Sequence, residues 1–444
     1  MKKKNKLVYL SIVIISIFSV VLFALLLQDS QNNLTLKIKS KLPKNIRYFI
    51  KNSINFYLNN TSINLKYISE KKTETSKGKK ITIQEYNNKF LDYQGPRAYI
   101  SKTNDKIFLI TGTGIISFAN KKNFYQAENF KFKVLKSNIK KLITFKDFYR
   151  NSNYGVKGMM IDDKNIYVSL SNIEDKGCVK ITVLKAEIDY EKLNFSYVFN
   201  PKQCVKKNNI YGEFQPIQSG GSLFNFDNEN FLLSTGEFRF RDLAQNDLSI
   251  YGKILKINKF NESYKIISKG HRNIQGLFFD KKEKTILSTE HGPLGGDEIN
   301  VNKSLDKFLN FGWPISSYGE HYPSMAAKDA YEKAPLYKSH SDYGFTEPIK
   351  YFVPSIGITQ IVKSPKTKKN DLNHNFFFSS MGYQDRENSL SIHHIRFDKN
   401  YQRVIFEDKM KINFRVRDLL FLDENNILAY LEKKGSLIKI KINE

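Results

Sequence analysis

The chain has 444 residues, a formal charge of +27, 41% hydrophobic residues and 14% aromatics. That apolar content excludes a disordered chain, two cysteines exclude a disulfide-dense scaffold or a four-thiolate metal site, and 11 prolines with 23 glycines exclude collagen-like repeats. The charge is uneven: residues 1–80 hold 16 Lys/Arg against 3 Asp/Glu, a surplus of +13, which leaves +14 over the other 364 residues. Beyond residue 80 no cluster of Lys/Arg with interleaved aromatics occurs, so nucleic acid is not an expected partner.

At the N-terminus Lys2, Lys3, Lys4 and Lys6 precede Leu7–Leu27, 21 residues without a charge. At 1.5 Å per residue such a run crosses a hydrocarbon core of about 30 Å. Residues 1–30 therefore read as a single-pass transmembrane anchor. Its lysines stay cytoplasmic, which expects the C-terminal body in the periplasm, held at the inner (cytoplasmic) membrane. A cleaved signal peptide is the alternative, but Phe23–Gln28 offers no small-x-small site. Residues 31–80 follow as a basic stalk and linker. Leu42, Ile46, Phe49, Ile50, Ile54 and Tyr57 recur at spacings of three and four among Lys39, Lys41, Lys44, Arg47 and Lys51. That pattern predicts a basic amphipathic helix, either resting on anionic headgroups or serving as a plain stalk. Residues 70–80 are polar and read as the linker.

From residue 81 one pattern recurs: a polar turn and then a short apolar strand. The strands are Ile107–Thr111, Ile166–Leu170, Phe231–Thr235, Thr285–Thr289, Phe376–Ser380 and Ile427–Leu431, which start 59, 65, 54, 91 and 51 residues apart. Apolar runs of four or five without helical periodicity are strands buried on both faces. A period near 55–60 residues accommodates four strands, so residues 81–444 are predicted to form a six-bladed β-propeller, an all-β fold. A pair of β-sandwiches is the rival. The 91-residue interval predicts a long insertion in the fourth blade, where function tends to sit.

That interval contains Glu290-His291-Gly292-Pro293-Leu294-Gly295-Gly296-Asp297-Glu298-Ile299-Asn300, then Asn310-Phe311-Gly312-Trp313-Pro314. The glycines and proline can bend backbone carbonyls toward one centre, with Glu290, Asp297 and Glu298 around it. Hard oxygen donors suit Ca²⁺, whereas zinc lacks a second histidine or thiolate nearby. Read alone, the stretch is equally a hydrogen-bonded loop. Upstream, Arg272-Asn273 can present planar donors to a carboxylate or quinone oxygen. Near the C-terminus Arg415 and Arg417 share one face of a strand and repel unless an anion sits there, or each pairs with a surface carboxylate.

These pieces, in this order, resemble the glucose/sorbosone dehydrogenase family, the soluble aldose sugar dehydrogenases, which are six-bladed propellers using pyrroloquinoline quinone (PQQ) and calcium. Residues 270–277 are similar to its Gly-His-Arg-Asn-Pro-Gln-Gly-Leu, with Ile274 for proline, and 290–300 match its Glu-His-Gly-Pro-x-Gly-Gly-Asp-Glu-Ile-Asn without a break. Residues 310–314 and 415–418 resemble Asn-Tyr-Gly-Trp-Pro and Arg-x-Arg-Asp. The likeness is good over 150–444, weak over 85–150, and absent from 1–80. It implies PQQ contacts at Arg272, Asn273, Arg415 and Arg417, with Tyr322 lining the pocket. It implies one calcium on the carbonyls of Gly292 and Pro293, and a second on Glu298 and the Phe311 carbonyl.

One position departs from the pattern. The family's general base is a histidine opening the third repeat, where this chain has Gln218-Ser219-Gly220-Gly221-Ser222-Leu223. Glutamine cannot accept a proton at neutral pH, and losing a general base costs a factor of about 100 to 10,000. A family lysine after the fifth repeat strand is also missing, with Gly382 in its place and Arg386 nearby. The expected activity is oxidation of an aldose or related sugar, with electrons passing to an acceptor. The rivals are a non-catalytic propeller binding carbohydrate or protein in the envelope, and a calcium-dependent lactonase with a metal ringed by carboxylates. Cys178 and Cys204, 26 residues apart, form a disulfide in an oxidising compartment or remain two buried thiols.

Overall fold

The computed structural model describes residues 61–444 except 89–90, 92–96, 127, 175–176, 209–211, 323–333, 366–371, 383–387 and 444, and before residue 61 only 16, 17 and 19. The chain divides into two compact units, Met1–Ile63 and Asn64–Glu444. The anchor over 1–30 and the amphipathic helix over Leu36–Asn60 lie outside the described residues. Among the described residues no helix is long and apolar enough to cross a membrane.

Each predicted repeat strand is the second of four successively paired antiparallel strands; blades one and six are joined in one nine-stranded sheet through Ser62–Glu74 and Lys80–Asn87, and blades two and three each carry a fifth strand. Blade one begins with Ala98–Lys102 and Lys106–Thr111, blade two with Val156–Asp162 and Asn165–Glu174, and blade three with Gly220–Asn225 and Asn230–Thr235. Blade four begins with Ile274–Asp280 and Thr285–Glu290, blade five with Ile358–Lys363 and His374–Ser380, and blade six with Val416–Phe421 and Asn426–Leu431. The first strands touch one another in a closed cycle, from blade one through six and back to one. That closure is a six-bladed β-propeller. Blade six takes its outer strand from the N-terminal side of the domain: Lys80–Asn87 pairs with Ser436–Ile442 in the register Ile81↔Ile442 to Asn87↔Ser436.

The second strands are the most buried because neighbouring blades cover both of their faces. Phe231, Leu232 and Leu233 are wholly inaccessible, and each such side chain contributes about 1.5–3 kcal/mol. Leu233→Ala would leave a cavity between blades and cost about 2–5 kcal/mol. The inner strands pack closely enough to exclude side chains. A Cβ at Gly221, whose φ is +111°, would lie 2.3 Å from the Lys157 Cβ.

The reading of 70–80 as a linker is corrected. Ser62–Glu74 is a strand paired with Lys80–Asn87, and Thr75–Lys79 forms the turn between them. Asp408 fixes that turn by accepting from Thr75 Oγ1 (2.7 Å), Ser76 Oγ (2.8 Å) and the Lys77 amide (3.0 Å). The fourth-blade insertion is where the spacing put it, between Asp297–Asn302 and Lys350–Phe352. Cys178 and Cys204 form a disulfide, with Cα atoms 5.4 Å apart.

Candidate active site

In an antiparallel hairpin the start of one strand and the end of the next lie at the same end. Gln218, Arg272, Asn273 and Arg415 each precede the first strand of a blade, whereas Glu237, Gly292, Pro293 and Glu432 each follow a second strand. The blade repeat therefore gathers all eight at one end of the ring.

Gln218, Arg272, Pro293 and Tyr322 line one pocket together with Glu237, Arg239, Arg241, Trp313 and His321. The hydrogen-bond network orients the Gln218 amide. Its nitrogen donates to Glu237 Oε1 at 3.0 Å, and its oxygen accepts from Arg239 Nε and Arg272 Nη2, both at 2.9 Å. Glu237 is completely buried, and its Oε2 has no hydrogen-bond partner. Burial pushes its pKa up to about 7, against the opposing pull of Arg272, Arg241 and Arg239. Phe238 and Arg239 hold left-handed φ angles of 54° and 68°, unusual for non-glycine residues, and so turn the chain sharply beside the pocket. The Arg272 guanidinium lies 5.3 Å from the Trp313 ring centre, and that of Arg239 lies 5.7 Å from Tyr322.

The Arg-Asn turn is held from below by Glu290. That carboxylate accepts from the Arg272 amide, from the Asn273 amide (3.3 Å) and from His271 Nδ1 (2.9 Å). Asn273 Oδ1 accepts from the Gly220 amide at 3.1 Å and from Gln275 Nε2 at 3.0 Å. Gln275 Oε1 in turn accepts from Arg417 Nη1 at 2.9 Å, so one chain of hydrogen bonds joins blades three, four and six.

Arg415 and Arg417 do meet an anion, but a buried one. Glu432 binds Arg417 through Nε and Nη2 and Arg415 through Nη2 (3.0 Å). Arg97 approaches the same carboxylate at 4.0 Å, and its Nε is buried without a hydrogen-bond partner. Burial alone would raise the Glu432 pKa, but Arg417, Arg97 and Arg415 hold it down to about 2. Three guanidiniums thus share one carboxylate. Nearby, Lys157 is buried and donates to the carbonyls of Asn153 (2.6 Å) and Pro216 (3.0 Å). Burial and then Arg97 and Arg417 drive its pKa far below the usual lysine value.

The 290–300 stretch reads equally as a metal site or a hydrogen-bonded loop, and in this structure backbone amides and side chains bond each of the Glu290, Asp297 and Glu298 carboxylates. Asp297 accepts from the amides of Gly292 (3.0 Å), Ile356 (3.1 Å) and Ile358 (3.0 Å). The loop is tight, since a Cβ at Gly292 would meet the Gly296 oxygen at 2.1 Å. Arg272 Nη1 donates to the carbonyls of Gly292 (2.6 Å) and His291 (3.1 Å), and the Pro293 carbonyl accepts from Ser355 Oγ at 3.3 Å. The first predicted calcium site therefore faces a cation already, the protein's own guanidinium.

The second predicted calcium does not fit. His340 lies between its two donors, with Nδ1 2.9 Å from the Phe311 carbonyl oxygen and Nε2 3.3 Å from Glu298 Oε1. Glu298 also accepts from Asn300 Nδ2 at 3.1 Å. Burial raises the Glu298 pKa, and Glu298 in turn carries that of His340 above its usual value against burial. Among the described residues no group of three His, Cys, Asp or Glu could hold a metal. Arg386 lies outside the described residues.

Sequence reasoning missed Glu237, Glu432, Arg97, Gln275 and His340. One signal was present: a glutamate stands within two residues of the end of the third, fourth and sixth repeat strands, at Glu237, Glu290 and Glu432. Arg97 and His340 carry no local signature and become visible only when the ring closes.

The family described as Glucose / Sorbosone dehydrogenase matches residues 140–439. The chain is 27% identical to the aldose sugar dehydrogenase YliI of Escherichia coli over 212 residues, 44% of this chain and 52% of that one. It is 29% identical to an uncharacterized protein of Synechocystis over 220 residues, 46% of this chain and 49% of that one. It thus spans about half the length of the curated relatives it matches. Among solved structures, the apo-form of the Escherichia coli soluble aldose sugar dehydrogenase superposes with a TM-score of 0.61 at 17% identity, covering 82% of this chain and 100% of that one. The PQQ-bound aldose sugar dehydrogenase of Streptomyces coelicolor gives 0.52 at 15% identity, covering 78% and 98%. At those identities the superpositions speak for the fold alone, and with the match over 140–439 the chain belongs to the glucose/sorbosone dehydrogenase family.

Proposed function

We propose that this chain is a PQQ-dependent oxidoreductase acting on an aldose or a related sugar. The observation that carries the reading is the excess of guanidinium over carboxylate: Arg97, Arg415 and the buried Arg417 around Glu432, with the Arg97 Nε lacking a hydrogen-bond partner. A buried cation surplus with an open donor suits a polycarboxylate such as PQQ, which a neutral ligand would not satisfy. When bound, the quinone supplies a two-electron acceptor for the sugar's C–H bond.

The chain's own residues then have distinct tasks. Arg97, Arg415 and Arg417 bind carboxylates, while Arg272 and Asn273 orient the cofactor from the Glu290-held turn. Gln275 ties that turn to Arg417. Trp313 and Tyr322 wall the pocket and keep water out. Calcium is proposed at Gly292 and Pro293 only: their carbonyls would hold the ion, and Arg272 is the residue that now donates to the Gly292 oxygen. Residues 1–30 are proposed as an inner-membrane anchor with the propeller in the periplasm, on the strength of the lysine-flanked 21-residue apolar run. The electron acceptor is a separate partner.

The second reading is a non-catalytic sugar- or protein-binding propeller, and Gln218 in the base position favours it. The lactonase alternative has no ring of carboxylates to rest on among the described residues. The test is dye reduction by the full chain loaded with PQQ and Ca²⁺ against an aldose panel. Turnover supports the oxidoreductase, whereas cofactor uptake without turnover of any aldose supports the binding propeller.

A further inference from the structure

We infer that Glu237 is the general base of this chain and takes over the proton transfer that Gln218 cannot perform. The inference rests on the oxidoreductase reading above. A base must lie in the pocket, hold a free acceptor and be fixed in place. Glu237 lines the pocket with Arg272, Trp313 and Tyr322. Its Oε1 accepts from the Gln218 amide, and its buried Oε2 has no hydrogen-bond partner in a chain where most buried polar atoms are paired.

The surrounding backbone fixes it. The Glu237 amide donates to the Arg272 carbonyl (3.2 Å), its own carbonyl accepts from the Phe240 amide (2.7 Å), and the Phe238 amide donates to the Gln218 carbonyl (2.8 Å). Gln218 thereby acts as a positioning residue. It donates to one carboxyl oxygen while its own oxygen is held by two arginines, so the other, buried and unpartnered carboxyl oxygen is the one left to take a proton.

The charged and titratable groups facing Glu237 are Arg239, Arg241, Arg272, His321 and Tyr322, with Glu213 behind Arg241 at 2.8 Å. A carboxyl with a pKa near 7 is half ionised at neutral pH, which is the range a base at this step requires. In the reaction the sugar O–H proton passes to Glu237 Oε2 as the C=O bond forms. The C–H hydrogen leaves with its electron pair to the quinone-class oxidant, which is reduced by two electrons. The carboxylic acid formed on Glu237 returns its proton to water afterwards.

The experiment compares full-length wild type, Glu237→Gln, Glu237→Asp and the double variant Gln218→His/Glu237→Gln. PQQ uptake is read from the quinone absorbance, aldose turnover by dye reduction from pH 5 to 9, and the buried carboxyl band by infrared titration of the cofactor-free proteins. The expected results are unchanged PQQ uptake in Glu237→Gln with turnover about 100- to 10,000-fold lower. The rising limb near pH 7 should be lost, the infrared carboxyl signal titrating near pH 7, to which Glu237 and Asp418 both contribute, should fall by one carboxyl, and Glu237→Asp and the double variant should regain part of the rate. PQQ uptake by wild type and Glu237→Gln with equal turnover overturns the assignment and leaves the oxidoreductase reading standing. Failure of wild type to take up PQQ overturns both.

Discussion

Arg272 donates to the Gly292 carbonyl at 2.6 Å, so the oxygen proposed for calcium is held by the protein's own cation. A guanidinium and a divalent ion cannot share that acceptor without repulsion. Calcium and PQQ uptake should therefore be coupled, because the incoming cofactor gives Arg272 another anion to bind. Calorimetric titration with Ca²⁺ alone should show no saturable site below the millimolar range, and adding PQQ should tighten binding by at least about tenfold. Equal calcium affinity in both conditions would contradict this relationship.

His340 links Glu298 to the Phe311 carbonyl where a second calcium had been expected. His340→Ala removes the donor to the Phe311 carbonyl and the ion-pair partner of Glu298, leaving Glu298 with Asn300, and should lower stability by about 1–3 kcal/mol in denaturant unfolding. Calcium should not restore it. Recovery of wild-type stability on adding Ca²⁺ would show that the site still prefers the metal.

His393 and His394 stack on Phe378 and Phe377 at 4.6 and 4.4 Å. Burial lowers both pKa values to about 4. A histidine with a depressed folded pKa contributes stability above its unfolded value near 6.5, and that stability is lost as pH falls toward 4. Glu237 and Asp418, both raised to about 7 by burial, slope the opposite way. The measurement is therefore the difference between His393→Phe and wild type, in which those groups cancel. Between pH 6.5 and 4 the variant should gain on wild type by roughly 1.4 kcal/mol per pH unit, measured by denaturant unfolding at each pH.

The Cys178–Cys204 disulfide closes a loop with a sequence separation of 26 in blade two. Constraining the unfolded chain by a loop of that length is worth about 3 kcal/mol. Cys178→Ser/Cys204→Ser should lower stability by that amount in denaturant unfolding, and a reductant should do the same to wild type. PQQ uptake should persist in the folded fraction, because the disulfide belongs to blade two and neither cysteine pairs with Arg97, Arg415, Arg417 or Glu432.

Much of the ring was legible because its second strands are buried on both faces, and Phe231–Thr235 or Ile427–Leu431 read as strands from composition alone. Ser62–Glu74 was not. Only Ile63 and Leu65 of that strand are buried, and the rest, Tyr67 and Ile68 included, lies mostly in solvent, so no apolar period marks it. At the site, Arg272, Asn273 and the 290–300 loop were legible as contiguous motifs, as was the substitution at Gln218. The partners of those residues were not. Arg97 reaches Glu432 and His340 reaches Glu298 only through the closure of the propeller and the folding of the fourth-blade insertion, and sequence spacing carries neither.

Equilibrium dialysis reads whether the arginine cluster holds PQQ. The full-length chain with Ca²⁺ present should retain one equivalent of PQQ, and Arg417→Gln should bind it about 10- to 100-fold more weakly, as expected for the loss of a charge-assisted hydrogen bond worth about 1.5–3 kcal/mol. No retention by wild type, or equal affinity in the two proteins, would contradict the account.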